Sequence, residues 1–322
     1  MILKEHELRY KNNLPFQAEL SKVSNLVPHR HDKELELVYC LDGTVHLEAA
    51  DQKETLHAGQ LHSIDFADIH CLWSDEDNTT LIFHLDLTHM PNWEYLRHVF
   101  FACEDAHLYP YQRRAMATVK DIVLSLSYAY LTGDLKDPER FDKPLEQLLD
   151  VLLQYFNWFN YDNQDDYMNV ELYERFHRVL SYCINNYTKK ITVSQLAAME
   201  NINRNYFSQF IGKTVFSSFS NMMNYIRCYH AEDLLLTTDM PNAEISYACG
   251  FSDPKYFYAA FKDLWGCTPS EHRQQYEEYY QECLRDPHNK KNETTLTDRR
   301  AASVLKEFIV QWHLAKTMES LV

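Results

Sequence analysis

The sequence predicts an α+β protein of several domains: an N-terminal β-barrel, a helical linker, and an all-α C-terminal domain of two helix-turn-helix units with an extra C-terminal helix. Three observations carry this. Apolar residues alternate at every second position in short runs between Leu35 and Leu87. From Gln112 onward they recur instead at helical spacing. Two helix-turn-helix patterns then follow one another about fifty residues apart, from Thr192 and from Asn242.

The strand half comes first. Leu35, Leu37, Tyr39 and Leu41 alternate before Asp42-Gly43, and Val45, Leu47 and Ala49 after it, which predicts a β-hairpin with a tight turn. Alternation continues through Leu56 to Gly59, Leu61 to Phe66 and Leu81 to Leu87, enough for a small barrel. Next, two amphipathic stripes predict linker helices over 112–131 (Met116, Val119, Ile122, Val123, Leu126, Tyr130) and 141–159 (Leu145, Leu148, Leu149, Leu152, Leu153, Phe156). These pack either on the barrel or on a second protomer. The polar stretch from Asn160 to Asp166 reads as a hinge, and Glu171 to Tyr187 as the next helix.

The segment at Gly250 is the most specific. Gly250 can take a positive φ, Ser252 or Asp253 can cap a helix, and Pro254 suits its first turn, where no backbone donor is lost. Tyr256, Phe257, Ala260, Phe261 and Leu264 fall on one face and leave Pro254, Lys255, Tyr258, Ala259 and Lys262 towards solvent. Upstream, Asn242 to Cys249 forms a short helix carrying Ile245 and Ser246. The earlier unit runs from Thr192 through Asn201-Ile202-Asn203 to a helix that starts at Arg204 and carries Tyr206, Phe207, Phe210 and Ile211. A helical hairpin without a nucleic-acid role remains the alternative.

The string GFSDxxYFxxxFKxxxGxTPSxxR, ending at Arg273, resembles the signature of the AraC family of bacterial transcription regulators. The resemblance covers roughly residues 170 to 273 and includes Ile191, Leu196, Ala197, Phe219, Asn224, Arg227, Ala231, Leu234 and Leu235. It implies two units joined by a long helix, here Phe219 to Leu236, with both recognition helices in successive major grooves of one DNA face. Phe216 stands where a glycine is usual, Gly212 where a lysine is usual, and Asn242 where a buried isoleucine is usual. Carried over by position, the base-reading candidates are Arg204, Asn205, Ser208 and Gln209, then Pro254, Lys255, Tyr258 and Ala259, with Lys262 beside them. Asn205 and Gln209 match adenine bidentately and Arg204 matches guanine or a phosphate, whereas Tyr258 and Ala259 offer apolar contact to a thymine methyl. The first unit is therefore expected to discriminate more.

A net charge of −16 argues against bulk attraction to phosphate. From Lys189 to Arg273, however, eight basic residues balance eight acidic ones, so the acidity lies elsewhere. Dimerisation, helix N-termini and base contacts then carry the affinity.

The spacing His29-x-His31-x4-Glu36-x6-Gly43, with Gly59-x10-His70, resembles the two motifs of the cupin fold. Asp65 and Ala67 replace the usual proline and glycine of the second motif. In metal-binding cupins the four positions converge on one ion, and three imidazoles with a carboxylate suit zinc, iron, manganese or nickel. The expectation here is no cofactor and no metal: His29, His31, Glu36 and His70 line a pocket and hydrogen-bond a small-molecule effector. Metal ligation by the same four, or plain core histidines, stays open. Tyr39, Trp73 and Phe66 offer flat surfaces for a sugar ring, the favoured effector, or they are ordinary core. A fatty acid, an aromatic acid or a peptide signal also fits.

The domains are expected at 1–92 (barrel), 93–166 (linker and dimerisation), 167–275 (double helix-turn-helix) and 276–322 (extension). In the extension, Asp286 to Thr297 reads as a loop; Val304, Leu305, Phe308, Ile309, Trp312 and Ala315 then mark an amphipathic helix that docks on this protein or its twin. The eight cysteines are scattered without a CxxC pair and suit reduced core thiols. The N-terminus lacks an apolar signal core and no run approaches a membrane span, so a cytoplasmic protein is expected. The leading reading is a ligand-responsive, DNA-binding regulator, not an enzyme. Its partners would be double-stranded DNA, a small molecule, a second copy of itself and, for an activator, RNA polymerase, with no membrane. The alternatives are a metal-dependent cupin enzyme with a helical interaction module, or a constitutive regulator whose barrel only dimerises.

Overall fold

Seven antiparallel strands form two sheets in the computed structural model, which describes residues 8, 10–49, 52–66, 68–90, 93–96, 99–156, 170–214, 216–285 and 295–319. The strands are β1 (Phe16–Ser21), β2 (Glu34–Asp42), β3 (Thr44–Ala49), β4 (Gln52–His57), β5 (Leu61–Ile64), β6 (His70–Trp73) and β7 (Thr79–Asp86). One sheet runs in the order β1-β7-β2-β5 and the other β4-β3-β6. The expected hairpin between β2 and β3 is therefore not formed, because these strands lie in different sheets. At Gly43 (φ 77°) the chain turns from one sheet to the other, where a Cβ would stand 2.4 Å from the Asp77 carbonyl oxygen. Alternation and a turn glycine predicted two strands; they do not say which strand pairs with which.

Register explains which residues face inward. Glu36 stands opposite His84 and Val38 opposite Ile82, and both pairs point into the barrel. Val38, Cys40, Val45, Leu47, Leu56, Ile64, Leu72 and Ile82 fill its apolar interior. The other face of β2 carries Leu35, Leu37 and Tyr39, which are also fully buried because helices cover it. Phe16 stacks on Phe83 at 5.7 Å between ring centres and meets Tyr130 and Phe141 on its helical side.

By contacts the described chain divides into two units. The first holds the described residues of 8–93, 101–156 and 282–319; the second holds those of 94–100 and 170–281. A one-turn helix α1 (Trp93–Leu96) precedes α2 (Arg113–Thr132) and α3 (Asp142–Tyr155), which pack in the barrel unit. The C-terminal unit holds α4 (Val170–Asn185), α5 (Val193–Met199), α6 (Arg204–Gly212), α7 (Phe219–Thr237), α8 (Asn242–Ala248) and α9 (Pro254–Trp265). Helix α10 (Pro269–Arg285) runs through residue 275, so the expected boundary there falls inside a helix. Helix α11 (Asp298–Glu319) packs on α2, burying Ala301 and Leu305. Trp312 Nε1 donates to Asp121 at 2.6 Å, Lys316 pairs with the same carboxylate at 2.5 Å, and Phe308 meets the Tyr39 ring edge-on. The extension thus docks on this chain. The expected hinge at 160–166 and most of the expected loop at 286–297 lie outside the described residues.

Two apolar clusters hold the C-terminal unit, one around Phe176, Phe207, Phe210 and Met222, the other around Leu235, Ile245, Phe257 and Phe261. Phe216, in the place of the family's glycine, is buried against Phe176 and Tyr225. Gly250 has φ 82°, and a Cβ there would lie 2.7 Å from both Thr188 Cα and the Tyr187 carbonyl oxygen, so its hydrogen is needed for close packing as well as for the turn. Two arginines tie loops together through carbonyls. Arg227 Nε donates to Tyr187 O at 3.0 Å, and Arg273 donates to Leu235 O and Met240 O at 2.8 and 3.0 Å.

Candidate functional site

Each recognition helix is started by a side-chain cap. Asn203 Oδ1 accepts the Tyr206 N–H at 2.9 Å at the head of α6, and Asp253 Oδ1 accepts the Lys255 N–H at 2.9 Å at the head of α9. The helices preceding them are equally short, with α5 opened by a Thr192–Gln195 capping box. On α6, Phe207, Phe210 and Ile211 are buried, while Arg204, Asn205, Ser208 and Gln209 are exposed. On α9, Phe257, Ala260 and Phe261 are buried; Lys255, Tyr258, Ala259 and Lys262 are exposed and Pro254 is half-buried.

The two faces differ in chemistry. That of α6 is rich in amide and guanidinium groups, which can satisfy the edge of a base in two directions. That of α9 is partly engaged at home: Lys255 Nζ lies 3.5 Å from Asp253 and over the Tyr256 ring, and the Tyr258 hydroxyl accepts from Asn242 Nδ2 at 3.3 Å. Asn242 also bonds Ser270 Oγ at 2.8 Å and Arg273, which accounts for an amide where an isoleucine is usual.

Tyr256 corrects the sequence reading. It was expected on the apolar face but is 54% exposed, and Tyr206 is 42% exposed. Both are the third residue of their helix, so each unit presents a tyrosine at the same place. The two-fold repeat was the available signal, masked by counting tyrosine as apolar. An open pocket of about 450 Å³, lined by Glu171, Arg175, Asn201 and Asn203 among others, lies beside Tyr206.

In the barrel, ligand atoms of His29, His31, Glu36 and His70 lie within 4.8 Å of one another, and all four residues are buried. A further histidine, which sequence spacing missed, joins them. His84 Nε2 is 3.0 Å from Glu36 Oε2, beside His31 Nε2 at 3.2 Å and His70 Nε2 at 3.3 Å. His84 carries no motif spacing; its place opposite Glu36 in the β2–β7 register brings it in. The ring of His29 donates from Nδ1 to Val27 O at 2.9 Å, and that of His70 from Nδ1 to Asp68 O at 2.9 Å. A nitrogen facing a carbonyl must carry the hydrogen, so in the neutral rings both Nε2 atoms present lone pairs.

Burial works against ionising Glu36, but the charges of His70 and His84 and hydrogen bonds from His31 and His70 outweigh it and hold its carboxyl well below the usual range. Burial, aided by His70, keeps His29 well below the ordinary imidazole value. Burial lowers His84 as well, against the pull of Glu36. At His70 burial is overcome by the Glu36 charge and hydrogen bond, and its pKa rises. The Glu36 carboxylate is thus the centre on which His31, His70 and His84 converge. The donor set also fits a divalent ion: three nitrogens and one carboxylate, two of the rings oriented by backbone carbonyls behind them. Such an ion, held by His29, His31, Glu36 and His70, would supply a positive charge beside the buried Glu36 carboxylate.

Tyr39, Trp73 and Phe66 do not join this cluster. Tyr39 faces the helices, under Lys120 and against Phe308. Lys120 there donates to Gly59 O and pairs with Asp105 at 2.8 Å. Trp73 stacks on His46 on the outer face of the smaller sheet, and Phe66 meets Trp93. Alternation sends neighbouring residues to opposite faces, so His70 and Trp73, an odd number of positions apart on β6, cannot both point inward.

Residues 196–275 match a helix-turn-helix domain family and residues 21–86 a cupin domain family. The chain is 34% identical over 101 residues to the helix-turn-helix-type transcriptional regulator YijO of Escherichia coli K12, covering 31% of this chain and 36% of that one. It is 32% identical over 100 residues to the lactose operon transcription activator of Staphylococcus xylosus, covering 31% and 36%. With the helix-turn-helix-type transcriptional regulator YdiP of Escherichia coli K12 it shares 25% identity over 263 residues, covering 79% and 83%. The match spans about a third of the length of the first two relatives. A cupin barrel ahead of two helix-turn-helix units defines a class of two-part regulators. In this arrangement, and in the relatives it matches, the chain is similar to the AraC family of transcription regulators. Among the described residues no helix is long and apolar enough to cross a membrane.

Proposed function

We propose that this chain is a sequence-specific DNA-binding transcription regulator that responds to a small molecule in its N-terminal barrel. The observation that carries the reading is the pair of capped recognition helices, α6 and α9, each with its polar or aromatic face exposed behind an apolar anchor. Arg204, Asn205, Ser208 and Gln209 read one half-site; Pro254, Lys255, Tyr258, Ala259 and Lys262 contact the other, with Tyr206 and Tyr256 beside them. The protein acts in the cytoplasm as a homodimer and, where it activates, meets RNA polymerase. A sugar is the favoured effector, on the strength of a relative that serves a lactose operon. Effector binding shifts the population of barrel and helix packings and so the half-sites the dimer spans.

The test is selection of duplexes from a randomised library by the purified protein at moderate salt. A discrete motif, lost in the Asn205→Ala, Gln209→Ala double variant, is expected. A motif unchanged in the variant would overturn the residue assignment, and recovery of no motif would overturn the function.

The ring orientations of His29 and His70 favour a second reading, in which the barrel holds a divalent ion and performs metal-dependent chemistry. Metal analysis of the purified chain separates the two. A stoichiometric ion lost in Glu36→Gln, without a selected DNA motif, would move the assignment to an enzyme. A constitutive regulator would bind DNA while its thermal stability ignores every candidate sugar.

A further inference from the structure

The second cluster of reactive side chains lies outside both sites, on the far side of α9. Cys267 is half-buried, whereas the other seven cysteines are buried. It is the single residue between Gly266, which ends α9 with φ 71°, and Thr268, which opens α10. Thr268 is fixed by a capping box: its N–H donates to Glu271 Oε2 at 2.7 Å and its hydroxyl accepts the Glu271 N–H at 3.3 Å. Cys267 Sγ stands 3.9 Å from His272 Nδ1, and His272 Nε2 stands 2.7 Å from Glu232 Oε1. Both Glu232 and His272 are buried. An ionised carboxylate only accepts, so Nε2 carries the hydrogen and the neutral ring turns its Nδ1 lone pair to the sulfur. Phe261, Trp265 and Tyr276 pack around the imidazole and keep it in line. A carboxylate, an imidazole and a thiol in series is the arrangement that activates a nucleophilic sulfur.

We propose that Cys267, with His272 and Glu232 behind it, is a peroxide-reactive thiol: an oxidative modification site in the DNA-binding unit. His272 Nδ1 takes the thiol proton. The sulfur attacks the terminal oxygen of hydrogen peroxide, the O–O bond breaks, and the departing hydroxide takes the proton from His272 to leave as water. Sulfur is oxidised by two electrons to sulfenic acid and the peroxide is reduced. Two equivalents of a thiol then restore the cysteine, yielding one disulfide and one water. The remaining thiols are poor competitors. Burial pushes Cys40 up to about 11 and Cys183 and Cys249 up to about 12, and raises Cys103 and Cys228 as well.

The proposal does not depend on DNA binding, and its test reads sulfur chemistry alone. The full chain is treated with substoichiometric hydrogen peroxide at pH 7, trapped with dimedone and mapped by mass spectrometry, and iodoacetamide alkylation rates are taken from pH 5 to 10. Cys267 should hold nearly all of the label, and should alkylate about tenfold faster than glutathione at pH 7 with a rate midpoint below the ordinary thiol value of about 8.5. His272→Gln should return both to ordinary values. Glu232→Gln, which keeps a hydrogen-bonding group beside the ring, should raise the midpoint with the fold intact. Labelling spread over several cysteines, a midpoint at or above the ordinary value, or a midpoint unmoved in folded Glu232→Gln would each overturn the proposal.

Discussion

Replacing Gly250 by alanine separates two reasons for a glycine that are usually confounded. Gly250 and Gly266 both sit in the DNA-binding unit at similar angles, φ 82° and 71°. A Cβ at Gly266 meets nothing within 4 Å, whereas at Gly250 it meets Thr188 Cα and Tyr187 O at 2.7 Å and Thr188 C at 2.9 Å. Gly266→Ala therefore carries only the cost of a left-handed alanine, about 1 kcal/mol. Gly250→Ala carries that cost and must also push away a stretch of backbone. That stretch accepts the Arg227 hydrogen bond at 3.0 Å and lays Tyr187 on His230 at 4.0 Å between ring centres. Losing a hydrogen bond from a charged donor adds about 1.5–3 kcal/mol. The totals are about 1 kcal/mol for Gly266→Ala and about 2.5–4 kcal/mol for Gly250→Ala, a large share of a domain's stability. Hydrogen exchange read by mass spectrometry on peptides from residues 170–285 of the full chain measures both. Equal protection losses in the two variants would refute the packing argument and leave only the backbone angle.

Three further outcomes are expected. On a selected duplex, Lys262→Ala lowers the slope of log affinity against log salt by about 0.9 with base preference unchanged, whereas Asn205→Ala costs about 1–3 kcal/mol at one base pair and leaves the slope alone; anisotropy titrations at several salt concentrations read both. His62, buried in the barrel with its pKa lowered by burial to about 4, ties stability to pH. The unfolded ring binds its proton near 6.5 and the folded one only near 4, so stability is full above 6.5 and falls by roughly 3 kcal/mol towards pH 4; thermal unfolding of His62→Gln should lose that part of the acid sensitivity. Leu305→Ala, at the fully buried seat of α11, should cost about 2–5 kcal/mol, seen as faster exchange in peptides from α2.

The helical half was legible because its signals are local. A cap at Asp253, a proline at the first turn and a glycine before it fix one helix start without reference to the rest of the chain. The barrel was legible as strands but not as a topology, since Leu35 to Ala49 alternates equally well as a hairpin or as a crossing between sheets. The same limit governed the site. His29, His31, Glu36 and His70 were found by spacing, His84 only by the register of β7 against β2, and Tyr39 was placed on the wrong face because inward and outward are not written in a strand whose two faces are both buried.

The ordering of contacts along the chain has a kinetic consequence. Strand β1 pairs with β7 across the whole barrel, and α11, the last described helix, packs on α2 from the middle of the chain. The helix-turn-helix unit draws its core from residues close in sequence, so its loops close quickly, while the barrel unit must wait for α11 to be made. The helix-turn-helix unit can therefore close its own core without α11, while the barrel unit cannot close its core until α11 has been made and has reached α2.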